Sequence, residues 1–84
     1  PHNSPSSTPN PIIVRAHCDE GKRLLEVEEF QQAIDEFTRV IELDPEDLVG
    51  FRSAAAAYFE RAYIYGELGQ YQRAIEDYGS AIEL

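Results

Sequence analysis

The stretch FQQAIDEFTRVIEL, residues 30–43, returns in altered form as YQRAIEDYGSAIEL, residues 71–84. Six positions are identical in the two copies, and the aromatic residues Phe30 and Phe37 are matched by Tyr71 and Tyr78. In both copies the apolar residues recur at steps of three and four, which predicts an amphipathic helix. A helix of this kind cannot bury its apolar face alone, so the repetition indicates helical units that stack on one another.

The composition predicts one small folded domain and narrows the choice of partners. The chain has 84 residues, 43% of them apolar, and a formal charge of -9. This acidity disfavours nucleic acid and membrane surfaces as partners. No apolar run approaches the ~20 residues needed to span a bilayer, and the single cysteine, Cys18, suits a reducing compartment. We therefore expect a cytoplasmic protein, although the chain begins at Pro1 and a targeting sequence could precede it.

The N-terminal stretch PHNSPSSTPNP, residues 1–11, has the composition of a disordered arm rich in proline and serine. At its end Asn10 can cap a helix whose first residue is Pro11, where a missing N–H costs nothing. The folded domain is accordingly predicted over residues 12–84.

Four helices are predicted in this domain. The first follows Pro11, the second starts near Phe30 and ends before Asp44-Pro45, and the fourth spans the second copy of the repeated stretch. A third helix is predicted from residue 46 to about Leu68, followed by Gly69 just past its end. Short connections between such helices impose antiparallel pairs, so the fold class is all-α with two helical hairpins.

The spacing of the apolar and small residues resembles that of the tetratricopeptide repeat family. The positions that carry this resemblance are Gly21, Leu24, Phe30, Ala33, Phe37 and Pro45 in the first unit, and Ala62, Tyr65, Gly69, Tyr71, Ala74, Tyr78 and Ala81 in the second. The resemblance implies an alpha-alpha superhelix with one repeat over about 12–45 and another over 46–84, the latter either complete or truncated. Three positions depart from the family pattern, namely His17, Glu28 and Val40.

The period of the repeat is longer than the family's. Ala33 and Ala74 are 41 residues apart, whereas the family's unit has about 34. The seven extra residues lie between Asp47 and Ala55, and seven is close to two helical turns. Leu48 and Phe51 then continue the apolar stripe, so we predict that the third helix is lengthened by about two turns and that no loop forms.

Catalytic chemistry finds little support in the sequence. No Ser/His/Asp spacing, phosphate-binding glycine loop or metal-ligand spacing occurs, so no catalytic residue, cofactor or metal is predicted. His17 and Cys18 are neighbours, but side chains one residue apart on a helix do not face each other. We expect His17 to lie in the core or to line a groove.

Binding is the better-supported function. The resemblance implies a groove on the first helix of each unit that would bind a peptide segment of a partner protein. The positions carried over to this groove are Arg15, Cys18, Lys22 and Leu25 in the first helix, and Ala56, Phe59, Glu60, Tyr63 and Glu67 in the third. Phe59 and Tyr63 stand one turn apart and either anchor a peptide or pack against another helix or subunit. Some family members hold a carboxylate with a Lys/Asn clamp, which this chain does not match, since Cys18, Lys22 and Glu60 occupy those positions.

A homo-oligomeric scaffold is the alternative function. The fourth helix has an apolar face without a following helix to cover it, and a second copy could cover that face in a homodimer. The residues predicted for self-association are Leu48, Phe51, Ala74, Ile75, Tyr78 and Ile82.

Overall fold

The computed structural model describes residues 9–84, which form four α-helices without a strand. Helix α1 spans Pro11–Glu26, α2 spans Phe30–Leu43, α3 spans Ser53–Glu67 and α4 spans Tyr71–Glu83. The predicted all-α fold of two antiparallel helical hairpins is confirmed. The predicted disordered arm lies largely outside the described residues, and α1 already begins at Pro11.

The helix ends follow local signals in the sequence. The Asn10 side chain accepts hydrogen bonds from the backbone N–H groups of Ile12 and Ile13, at 2.8 and 3.4 Å, as the predicted cap requires. Gly69 follows α3 with φ of 79°, a left-handed conformation that glycine adopts without steric cost. Glu28 has a φ of 62° in the turn between α1 and α2, so a non-glycine residue carries the reversal there.

The core lies between the α1/α2 hairpin and α3. Helix α3 packs against α1 and α2 on one side and against α4 on the other. Val14, Phe37, Val40 and Ile64 are fully buried at this junction. The two helices of the first hairpin approach closely at Gly21, where an added Cβ would lie 2.8 Å from the Phe37 ring. A glycine is therefore required at this crossing for steric reasons.

The prediction of a lengthened third helix was wrong, because the extra residues form a loop. Helix α3 begins at Ser53, and residues 44–52, here named the connecting loop, lead into it without helical structure. Asp47, Gly50 and Arg52 have φ values of 64°, 92° and 57°, which a right-handed helix cannot contain.

Polar contacts within the chain explain this outcome. The carboxylate of Asp44, only 1% exposed, accepts hydrogen bonds from the backbone N–H groups of Leu48 and Val49 and from the Ser53 hydroxyl. Asp47 accepts the N–H of Ala54 at 3.0 Å and so caps α3. Side-chain acceptors of this type compete with the helical hydrogen bonds and stop the helix from extending toward Pro45.

Candidate binding surfaces

The side chains predicted to form the groove lie on α1 and α3, where Arg15, Cys18 and Lys22 correspond to Ala56, Phe59 and Tyr63 at a separation of 41 residues. Arg15 and Lys22 of α1 are exposed, and so are Ala56 and Glu67 of α3. Leu25 and Glu60 are half-buried. Cys18 is only 6% exposed and belongs to the core cluster, so it offers a peptide almost no surface.

The two aromatic side chains of the predicted groove are both exposed but differ in their surroundings. Phe59 is 56% exposed and Tyr63 is 46% exposed. The Phe59 ring packs edge to face against Tyr78 of α4, with centroids 5.4 Å apart and an interplanar angle of 67°. Phe59 thus packs partly within its own hairpin, whereas no aromatic partner of Tyr63 occurs among the described residues.

The charged groups of α1 have different environments. The Arg15 guanidinium lies 4.1 Å above the Phe51 ring, which the connecting loop supplies, so a cation–π contact orients it. Lys22 has no ion pair within residues 9–84.

Burial is the main cause of the raised pKa of the Cys18 thiol, which therefore stays neutral and is a poor nucleophile.

A pocket of about 510 Å³ lies between α3, α4 and the end of the connecting loop. We name it the terminal pocket; it is lined by Phe51, Arg52, Ala55, Ala56, Phe59, Glu60, Tyr78, Ala81 and Ile82. It brings together Phe59 and Glu60, predicted for the groove, with Phe51, Tyr78 and Ile82, predicted for self-association.

The other residues predicted for self-association do not line this pocket. Ala74 is 6% exposed and is buried where α4 packs on α3, because a small side chain permits a close approach there. Ile75 and Leu48 lie on the surface, with 64% and 52% exposure. The loop conformation of residues 44–52 separates Leu48 from the apolar stripe that it was predicted to extend.

A buried ion pair that was not predicted from the sequence joins α3 to α4. The Arg61 guanidinium donates two hydrogen bonds to the Asp77 carboxylate, at 2.7 and 2.9 Å, and a third to the Thr38 hydroxyl at 3.0 Å. Hydrogen bonding to Asp77 is the main reason that the pKa of Arg61 is raised. Arg61 lies three residues after Tyr58 and four before Tyr65, so it stands on the apolar stripe of α3. A charged residue on an apolar stripe needs a partner of opposite charge, and this signal could have indicated the pair.

His17 lies in the interface between α1 and α2, where its Nδ1 is 2.6 Å from the Glu36 carboxylate. It is partly buried there, which agrees with the expected core or groove position. Within residues 9–84 no group of three or more His, Cys, Asp or Glu side chains is arranged to hold a metal ion. None of the helices in that range is long and apolar enough to span a membrane.

Stacked helical hairpins with exposed aromatic and charged side chains on one face define a helical-repeat interaction module. Residues 55–84 match the family model described as Tetratricopeptide repeat. The chain is 33% identical over 64 residues to Hsp70-Hsp90 organizing protein 3 of Arabidopsis thaliana, an alignment that covers 76% of this chain and 10% of that relative. No solved structure matches the chain. These matches support the predicted resemblance to the tetratricopeptide repeat family, and the chain spans about a tenth of the length of this curated relative.

Proposed function

We propose that the chain is a non-catalytic protein–protein interaction module that binds a peptide segment across the face shared by α1 and α3. The observation that carries this proposal is the exposure of Phe59 and Tyr63 one turn apart on α3. Burying a large aromatic side chain on binding is worth roughly 1.5 to 3 kcal/mol, so both rings are strong anchor positions.

The charges of the face specify the ligand further. Arg15 and Lys22 lie on α1, whereas Glu60 and Glu67 lie on α3. A peptide with an aromatic or aliphatic anchor and an acidic residue directed at α1 complements this arrangement. The anchor enters near Tyr63, and the acidic residue meets Lys22.

The name of the Arabidopsis relative, which is an organizing protein for Hsp70 and Hsp90, supports an adaptor role for this module. Glu60 and Cys18 at two clamp positions argue for a ligand other than a chaperone C-terminal carboxylate. The single thiol of Cys18 suits a reducing compartment, and we assign the module to the cytoplasm.

Selection from a displayed peptide library, followed by fluorescence anisotropy with the selected peptides, tests the groove. Tyr63→Ala is expected to weaken binding at least about tenfold, which corresponds to ~1.4 kcal/mol. Tyr71→Ala is the matched control, because Tyr71 is a comparably exposed ring at the start of α4, outside the predicted groove. Peptides that bind both variants equally, or a failure to select any peptide, would contradict the proposal.

A homo-oligomeric scaffold is the second candidate function. Ile75 and Ile82 stand two turns apart on α4 and are 64% and 84% exposed, which favours contact with a second copy. Light scattering across a concentration series measures this directly. A mass of about twice the 9.5 kDa chain mass, together with a monomeric mass for the Ile75→Asp variant, would establish the scaffold function. A monomeric mass at all concentrations would exclude it.

A further inference from the structure

The connecting loop brings one aromatic side chain, Phe51, onto the first helix of the predicted groove. Phe51 lies in the segment that holds the seven extra residues of the longer repeat, and it packs against the core cluster. Before it, the Asp44 carboxylate accepts the N–H group of Leu48 at 2.8 Å. After it, Ala54 donates its N–H group to the Asp47 carboxylate at 3.0 Å. The Phe51 ring is therefore held against the body of the domain, although its residue lies outside any helix.

The Arg15 guanidinium rests on this ring. Its central carbon lies 4.1 Å from the ring centroid, which is a cation–π contact. Asp19, one turn further along α1, lines the same pocket of about 420 Å³ as Arg15 and Phe51. Within residues 9–84, however, no ion pair joins Arg15 to Asp19 or to another carboxylate. Arg15 thus has a fixed direction, and the N–H groups on the edge of its guanidinium remain available to an acidic ligand.

The other cation of the groove, Lys22, has a different character. It makes neither an ion pair nor a cation–π contact within residues 9–84. A lysine ammonium acts as a point charge, whereas the planar guanidinium of arginine matches a carboxylate with two parallel N–H donors. A side chain that is already held in its binding geometry also loses less conformational entropy on binding. Lys22 therefore attracts acidic peptides in general, while Arg15 selects a carboxylate at one position.

We infer that Phe51 is a positioning residue for Arg15, and that Arg15 selects a second acidic residue in the bound peptide. This inference rests on the proposed function and defines the ligand of the same groove more closely. The peptide carries one acidic residue that meets Lys22 and another that meets Arg15. Arg15 and Phe51 both lie outside the clamp positions named above. Because Phe51 comes from the extra residues, the Arg15 subsite is a property of the longer repeat of this chain.

The distance between the two cations sets the spacing of the two acidic residues. Arg15 and Lys22 are seven residues apart in α1, or about 10 Å along the helix axis. An extended peptide rises about 3.3 Å per residue, so a peptide that meets both cations presents acidic residues about three positions apart. Tyr63 is the counterpart of Lys22 in the repeat, so the hydrophobic anchor of the peptide lies nearer to the Lys22 end of this pair.

Double-mutant cycles with the peptides selected for the groove test the inference on the full 84-residue chain. Each acidic residue of a peptide is replaced in turn by glutamine, and fluorescence anisotropy compares the original chain with Arg15→Gln, Lys22→Gln and Phe51→Leu. Replacing the acidic residue that meets Arg15 should weaken binding about tenfold in the original chain and less than about twofold in Arg15→Gln. In Phe51→Leu the same replacement should weaken binding about threefold, and in Phe51→Tyr, which keeps a ring, about tenfold again.

Arg39→Gln is the matched control, because Arg39 is an exposed cation of α2 outside the groove. This variant changes the net charge by the same amount as Arg15→Gln and should leave the discrimination between acidic residue and glutamine unchanged. Without peptide, the ring current of Phe51 should shift the NMR signals of the Arg15 side chain upfield. Phe51→Leu should abolish this shift, while circular dichroism shows whether the variant retains its helices.

Each other outcome overturns the inference. Arg15 signals without an upfield shift, or undiminished discrimination in Phe51→Leu, would show that the ring does not position the cation. Coupling of the same carboxylate to both Arg15 and Lys22 would remove the second acidic position. Peptides that depend on Tyr63 but have no acidic residue coupled to Arg15 overturn this inference alone and leave the proposed function standing. A failure to select any peptide overturns both.

Discussion

Arg61 shows how one residue can join three helices. Its guanidinium connects α3 to Asp77 of α4 and to Thr38 of α2, and the rings of Tyr58 and Tyr65 lie 5.5 and 5.8 Å from it. The Arg61 and Asp77 side chains are 17% and 8% exposed, so the pair is largely withdrawn from water. In such a site each charge depends on the other to offset the cost of desolvation.

Asp77→Ala is therefore expected to lower the free energy of unfolding by about 3 kcal/mol, because it leaves the Arg61 charge buried without a partner. Urea denaturation followed by circular dichroism measures the change. Glu76→Ala, at an exposed position one residue earlier, is the matched control and should alter stability by less than about 0.5 kcal/mol. Equal midpoints for the two variants would show that the ion pair does not stabilise the hairpin.

Cys18 illustrates how burial limits a reactive group. Its thiol has a raised pKa, mainly because of burial, so the thiolate is scarce at neutral pH. Alkylation by iodoacetamide at pH 8 should be about tenfold or more slower in the folded chain than in urea. The pKa of Cys18 is higher in the folded chain than in the unfolded chain. The contribution of this thiol to the free energy of unfolding is therefore fully present at pH values below the unfolded pKa and is lost as the pH rises through the folded pKa. Equal alkylation rates in both states would mean that the thiol is accessible.

At the scale of elements, the connecting loop decides the difference between the expected and the observed structure. A seven-residue insertion in phase with the helical stripe can lengthen a helix, but the carboxylates of Asp44 and Asp47 and the left-handed Gly50 stabilise a loop. The loop then places Phe51 under Arg15 and at the edge of the terminal pocket. An insertion that was expected to extend a helix contributes a wall of the terminal pocket.

Two glycine substitutions distinguish these structures by the sign of their effect. Gly50→Ala should destabilise the chain by about 1 to 2 kcal/mol, because Gly50 has a φ of 92°. Gly79→Ala should stabilise it by about 0.5 to 1 kcal/mol, because Gly79 lies inside α4 and an added Cβ meets nothing within 4 Å. Thermal unfolding of both variants measures the effects. A stabilising Gly50→Ala would indicate that the segment is helical in solution.

At the scale of the whole molecule, acidity is the dominant property. The formal charge of -9 is distributed over a slender shape with principal extents of 46, 25 and 18 Å. The resulting repulsion between carboxylates opposes the compact state, and added salt screens it.

The melting temperature should accordingly rise by a few degrees between about 0.01 and 0.3 M sodium chloride, over which the Debye length falls from ~30 Å to below ~10 Å. Scanning calorimetry at both salt concentrations measures this rise, and an equimolar series in sucrose separates it from general solute effects. A melting temperature that falls with salt would mean that favourable ion pairs outweigh the repulsion.

The sequence by itself determined the fold class, the hairpins and most helix ends. Hydrophobic periodicity, the Asn10 cap, the turn at Gly69 and the break at Asp44-Pro45 are local signals, and each acts within one or two turns of the chain. The spacing of Ala33 and Ala74 also identified the repeat, whereas the predicted groove positions on α1 and α3 came from the resemblance to the tetratricopeptide repeat family.

Tertiary structure alone decided the start of α3, the burial of Cys18 and Ala74, and the pairing of Arg61 with Asp77. It also decided that residues predicted for two separate surfaces, Phe59 and Ile82, line one pocket. These outcomes depend on hydrogen bonds within the connecting loop and on contacts between side chains from different helices, whose energies a periodic pattern does not contain. The Asp44 carboxylate can accept hydrogen bonds from water or from the connecting loop. Its burial beside Ser53 makes the hydrogen bonds to the loop the more stable arrangement.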